Sequence, residues 1–164
     1  MSLITTHLYI ARHAWAEDIG EDGTDFSRSL TKKGIRRFRK MARRLAEAGM
    51  QVDVIATSPL VRTRQTAEIL SEELFEHPPV VTVEALAPGS DWGTLLEWTL
   101  EQHVAHVAWV GHNPCVGRLI AMAIGDGSAL IRMQKGSVAS IRLDDGLGHP
   151  GELTWLASAD LIDP

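Results

Sequence analysis

Cysteine is almost missing from this chain: among 164 residues only Cys115 carries a thiol, so no disulfide can form within it. No apolar stretch approaches the roughly 20 residues a membrane helix requires. No basic segment followed by an apolar secretory core opens the sequence, and the expected address is the cytoplasm. The chain also lacks an excess of positive charge. Its net charge of -5 argues against a general nucleic-acid binder, and a membrane partner is likewise not expected. Internal repeats, low-complexity tracts and linkers are absent as well. What remains, with 45% hydrophobic and 23% charged residues, is ordinary globular composition. The length suits one domain, residues 1–164, with a real core.

Short apolar runs alternate with helical patterns. His7-Leu8-Tyr9-Ile10-Ala11, Val52-Asp53-Val54-Ile55-Ala56, Val80-Val81-Thr82-Val83 and a run over 105–110 read as strands. A helix is expected from Thr31 to Ala48, capped by Thr31 and stopped by Gly49, with Ile35, Phe38, Met41, Ala42, Leu45 and Ala46 at helical spacing. Further helices are expected over 59–74, with Ser58 as cap and Pro59 as first residue, over 91–101 and over 114–124. The tail differs: 137–143 and 152–157 alternate about a glycine-rich turn at 144–151, a hairpin signal. Strand–helix alternation implies α/β architecture, a three-layer α/β/α sandwich with a mostly parallel sheet and an antiparallel edge hairpin.

The chemistry sits where strands end. Arg12-His13 closes the first run, Ser58-Pro59-Leu60-Val61-Arg62 follows the second, and Gly111-His112-Asn113-Pro114 follows the fourth. In open α/β sheets ligands bind beyond the carboxyl ends of the strands. Two arginines, two imidazoles and a helix N-terminus in one crevice make an anion site, and phosphate is the anion that planar guanidinium forks fit.

Taken together, Arg12-His13, Ser58-Pro59 with Arg62 and Gln65-Thr66-Ala67, Gly111-His112-Asn113-Pro114, and Arg28-Ser29-Leu30-Thr31 with Gly34 resemble the motifs of the histidine phosphatase superfamily. Within it the short chain is most similar to phosphohistidine phosphatases of the SixA type. The resemblance spans about residues 7–157. It implies a phosphoglycerate mutase-like fold, and no cofactor is expected; a metal held by His13 and His112 is not expected either, because the two arginines would repel a cation. It also implies that His13 takes up a phosphoryl group while Arg12, Arg62, His112 and Asn113 hold it. On the residues alone, a neutral His13 would attack phosphorus and a protonated His112 would donate to the phosphoryl oxygens, with backbone N–H groups of the helix after His112 adding contacts. Inorganic phosphate or sulfate would fit the same site.

Two departures from the family pattern matter. Ala14 stands where the superfamily usually has glycine, which tolerates positive φ. The general acid of larger members aligns near Pro88; Glu84, Asp91 and Asp18 are the candidate carboxylates, and none falls on that position. An alkoxide leaving group needs protonation, whereas the imidazole of phosphohistidine leaves readily. The expected substrate is therefore phosphohistidine on a signalling phosphotransfer protein. A phosphatase for a small phosphoester or phosphoanhydride, and a non-catalytic phosphate-binding domain, are the alternatives.

Other features have plainer readings. The cations crowding 32–44 make either a solvated helix face or a docking surface for an acidic partner. His103 and His106 lack a completing ligand set and read as surface or cap residues. His7, His77 and His149 read as loop or strand-edge residues. Cys115 is a packing residue or an oxidation sensor, and Trp92, Trp98 and Trp109 are packing residues.

Overall fold

A computed structural model describes residues 6–144 and 150–162. Six strands form one sheet: β1 (Thr6–Arg12), β2 (Val54–Thr57), β3 (Val80–Thr82), β4 (His106–Gly111), β5 (Val138–Leu143) and β6 (Glu152–Ala157). Their spatial order is β3-β2-β4-β1-β5-β6. The first four run parallel, β5 is antiparallel to β1, and β6 is antiparallel to β5. The turn of that last hairpin, and His149 with it, falls partly or wholly outside the described residues.

Among the described residues five helices cover the sheet: α1 (Lys32–Glu47), α2 (Val61–Glu73), α3 (Trp92–Glu101), α4 (Cys115–Ile124) and the four-residue α5 (Ala159–Ile162). Alternation along β1 shows why three layers are needed. Tyr9 and Ala11 pack with Phe38, Met41 and Leu45 of α1 and with Ala67 and Leu70 of α2. Leu8 and Ile10 face the other way, toward Leu95 of α3 and Leu119 and Ile120 of α4. A central strand buried on both faces reads as an unbroken apolar run. Phe38 and Trp109 are fully buried, one in each layer, and truncating such a side chain to alanine costs about 3–5 kcal/mol. The tryptophans pack as expected: Trp109 donates its indole N–H to Thr99 Oγ1 at 3.0 Å, and Trp92 meets it edge to face. Trp98 lies against the same cluster.

Most element boundaries fall within two residues of expectation. Thr31 caps α1, its Oγ1 accepting from Gly34 N at 2.8 Å, and Gly49 takes φ 92° beyond the helix end. Gly34 is fixed by crowding, because a Cβ there would lie 2.3 Å from the Trp15 carbonyl oxygen. That contact seats the start of α1 on the loop leaving His13. The start of α2 differs from the expected one. Pro59 and Leu60 lie in a turn, Leu60 is the capping residue, and the helix begins at Val61. Ser58 does not cap the helix, because its hydroxyl faces a histidine ring and accepts from Leu60 N, at 3.4 Å, ahead of the first turn. The 3-10 turn Glu84–Leu86 and helix α5 are further additions that local pattern does not announce.

On α1 the cations are largely occupied within the molecule. Arg39 and Arg43 both meet Glu73 of α2, at 2.6 and 2.7 Å, and Arg37 meets Asp160 at 3.1 Å while lying over the Trp15 ring. The face joins α1 to α2 and α5 as well as to solvent. Cys115 is half-buried and its Sγ accepts from Gly89 N at 3.3 Å, fastening the 87–90 loop to the start of α4. His106 stacks on His7 and its Nδ1 lies 3.4 Å from Asp53. His103 is a positive-φ residue after α3. Among the described residues no group of three or more histidine, cysteine or carboxylate side chains is placed to hold a metal, and no helix is long and apolar enough to cross a membrane.

Candidate active site

Register brings the strand ends together. Arg12 lies opposite Gly111, and Thr57 opposite Val110. The next residue along each strand, His13, His112 and Ser58, therefore emerges at one edge of the sheet. Backbone bonds hold them there: His13 N donates to Gly111 O and Arg12 N to Ser137 O, each at 3.0 Å, and Gly136 N donates to His13 O at 3.1 Å. Ala14 N donates to Thr66 Oγ1 at 3.1 Å, so the turn after His13 is tied to α2. Ala14 is buried and is not among the positive-φ residues. Alanine therefore meets no backbone strain in the place where glycine was usual.

The four expected side chains converge. The rings of His13 and His112 are 5.4 Å apart, and Arg62, in the first turn of α2, is only 5% exposed. His13 Nδ1 lies 2.7 Å from the Ala14 carbonyl oxygen. A carbonyl only accepts, so Nδ1 carries the proton and the neutral ring presents a bare Nε2. Burial lowers the His13 pKa to about 3, aided by Arg62, His112 and Arg12 and opposed by the Ala14 bond. Desolvation thus outweighs the arginine charges as the reason this ring is neutral.

His112 departs from expectation. Burial first, then Arg62 and Arg12, lower its pKa to about 4 against a raising effect of Asp25. The ring is neutral at pH 7, not protonated. Its Nε2 lies 2.8 Å from Ser58 Oγ, which itself accepts from Leu60 N at 3.4 Å. Nε2 is the one acceptor within reach of the Ser58 hydroxyl among the described residues, so the serine proton goes to it and leaves His112 Nδ1 as an N–H donor. A neutral imidazole in this tautomer serves as a hydrogen-bond donor without protonation.

Asn113 also differs from its expected place. Its amide nitrogen donates to Met133 O at 2.9 Å, and Arg12 NH1 donates to the same oxygen at 3.0 Å. Asn113 secures the segment that aims Arg12. Nor is the Val116 N–H open to a ligand, because it donates to His112 O at 2.8 Å.

Four buried side-chain polar atoms among the described residues lack a partner: Arg12 Nε, Arg62 Nε, His112 Nδ1 and Ser137 Oγ. Buried donors are nearly always satisfied. Here three of the four exceptions belong to the residues gathered at the strand ends, two of them cationic. The arrangement is built to surround an anion.

None of the three candidate acids is bound to this group. Asp18 and Glu84 are exposed, and Asp91 caps α3, accepting from Thr94 N at 3.0 Å. The carboxylate that does reach the site is Asp25. Arg62 NH1 donates to its carbonyl oxygen at 2.8 Å and NH2 to its Oδ2 at 3.1 Å. Arg28 bonds the other carboxylate oxygen at 2.8 Å. These two arginines lower the Asp25 pKa, the Arg28 hydrogen bond foremost, so it is an anion and holds no proton to give. Asp25 is not among the three candidate acids; its spacing of three from Arg28 was the signal available in the sequence.

Residues 8–114 match the histidine phosphatase superfamily (branch 1), and the chain belongs to that superfamily; its fold is the phosphoglycerate mutase-like α/β fold. An uncharacterised protein of Picosynechococcus is 37% identical over 140 residues, which cover 82% of this chain and 84% of that one. A mitochondrial serine/threonine-protein phosphatase, Pgam5 of Drosophila ananassae, is 32% identical over 85 residues, covering 51% of this chain and 29% of that protein. Among solved structures, the protein histidine phosphatase SixA complexed with tungstate superposes with a TM-score of 0.85 at 26% identity, over 96% of this chain and 100% of that one. The protein is a phosphatase of this superfamily.

Proposed function

We propose that this protein removes the phosphoryl group from phosphohistidine on a protein, through a covalent intermediate on His13. The observation that carries the reading is the set of unpartnered buried donors on Arg12, Arg62 and His112 around the bare Nε2 of His13. Nε2 attacks phosphorus in line and a new P–N bond forms as the substrate's P–N bond breaks. The two guanidinium groups and the His112 Nδ1–H stabilise the three equatorial oxygens, where charge is spread in the transition state. The departing imidazole leaves neutral when its other nitrogen already carries a proton. Water then attacks the phosphorylated His13, returning the lone pair to Nε2 and releasing inorganic phosphate, with the water's proton passing to the product.

Two observations favour phosphohistidine over an alkyl phosphoester. Among the described residues the one carboxylate at the site, Asp25, is ionised between two arginines, so none of them stands ready to protonate an alkoxide. The solved structure with TM-score 0.85 is a protein histidine phosphatase holding tungstate, an oxyanion of the kind these donors would hold. Phosphate and sulfate should occupy the same place. The test is a substrate screen comparing a phosphohistidine protein with aryl and alkyl phosphates. Fastest turnover of the phosphohistidine protein supports the reading; faster turnover of alkyl phosphates overturns it.

A further inference from the structure

Beside the site lies a cleft of about 270 Å3 between the start of α4 and the segment approaching β5. Pro114, Gly117 and Arg118 form one wall, and Leu130, Ile131 and Arg132 the other. The walls touch closely, since a Cβ on Gly117 would lie 2.6 Å from the Ile131 carbonyl oxygen. Along the chain both walls adjoin residues of the candidate site. Pro114 follows His112-Asn113, and Arg132 precedes Met133, whose carbonyl holds both Arg12 and Asn113.

Its chemistry contrasts with the rest of the molecule. The protein has a net charge of -5, yet this lining carries two arginines and no carboxylate. Both arginines are exposed, and neither is ion-paired among the described residues. Leu130 is 99% exposed, the fullest exposure of any large apolar side chain described. On α1, by contrast, Arg39 and Arg43 are neutralised by Glu73. A surface joining unpaired cations to an uncovered leucine suits a partner that brings negative charge and an apolar side chain together.

We propose that this cleft docks an acidic segment of the protein that carries the phosphohistidine, with carboxylates against Arg118 and Arg132 and an apolar side chain against Leu130 and Ile131. The inference rests on the phosphohistidine reading above and adds to it the selection of substrate. Small phosphorylated compounds occupy only the strand ends and do not use the cleft.

Two synthetic phosphohistidine peptides test it, one flanked by glutamate and leucine and the other by lysine and alanine, with p-nitrophenyl phosphate as the small substrate. At low salt the native protein should favour the acidic peptide by about tenfold in kcat/KM, mainly through KM, and salt should erode the preference. In an Arg118→Glu/Arg132→Glu variant the preference should fall to about twofold or less, and Leu130→Ser should raise KM for the acidic peptide. Turnover of p-nitrophenyl phosphate should stay within about twofold in both variants. Equal use of the two peptides, or a preference that survives charge reversal, overturns the docking inference and leaves the phosphohistidine reading standing. Loss of p-nitrophenyl phosphate turnover in the variants also overturns it, because the arginines would then act on the phosphoryl group itself. Failure to hydrolyse either peptide while p-nitrophenyl phosphate is turned over overturns the phosphohistidine reading.

Discussion

His112 Nε2 lies 2.8 Å from Ser58 Oγ, joining the residue that leaves β4 to the one that leaves β2. This bond selects the tautomer in which Nδ1 carries the proton. Ser58→Ala should lower kcat/KM by about tenfold to a hundredfold, because a donor freed to rotate or change tautomer no longer meets the phosphoryl oxygens. Nitrogen NMR of the His112 ring should show the Nδ1–H form in the native protein and a mixture in the variant. An unchanged tautomer and rate would remove Ser58 from the account.

Asp25 holds Arg62 through both its backbone oxygen and its carboxylate. Asp25→Ala keeps only the backbone contact and should weaken inhibition by tungstate about tenfold, in line with losing a hydrogen bond to a charged group. Asp25→Asn should recover most of that affinity, since an amide oxygen still accepts from NH2. Tighter tungstate binding in the alanine variant would mean that Asp25 competes with the anion instead of aiming the arginine.

The exposed acids should be dispensable. Asp18→Asn, Glu84→Gln and Asp91→Asn should each leave phosphohistidine turnover within about twofold, apart from a small loss of stability when the α3 cap is weakened. A loss of a hundredfold or more in any of them is the magnitude of a true general acid and would identify the proton donor.

Acid should destabilise the protein through its two site histidines. Their folded pKa values, about 3 for His13 and about 4 for His112, lie below the ordinary 6.5. As pH falls below 6.5, unfolded imidazoles take up protons that the folded ones refuse, so the unfolded state gains and stability drops toward pH 4. Urea titrations between pH 7 and pH 4 should show a shallower decline in a His13→Gln/His112→Gln variant than in the native protein. Parallel declines would mean that these rings are not held neutral.

Much of this was legible in the sequence, for a physical reason. Strands buried on both faces appear as apolar runs, and the residue after each run sits at the sheet edge. Arg12-His13 and His112 were therefore placed at the sheet edge by position, and Arg62 by reading a helix start after the second run. Thr31 and Gly49 marked the ends of α1 because capping is local chemistry. What stayed hidden depends on partners far along the chain. Met133 meets Arg12 across 121 positions, Ser58 meets His112 across 54, and Arg62 reaches Asp25 across 37. Those contacts turned Ser58 from a helix cap into a support for His112, and gave Asn113 a tether to Met133. The protonation of His112 was misjudged because burial, which outweighs every charge near it, cannot be read from a motif.

The covalent step at His13 is tested most directly by rapid quench with 32P-labelled phosphohistidine protein. The native enzyme should carry acid-labile, base-stable label on His13 within a single turnover, and His13→Ala should carry none and release no phosphate. Release of phosphate by His13→Ala at a rate near that of the native enzyme would contradict the mechanism.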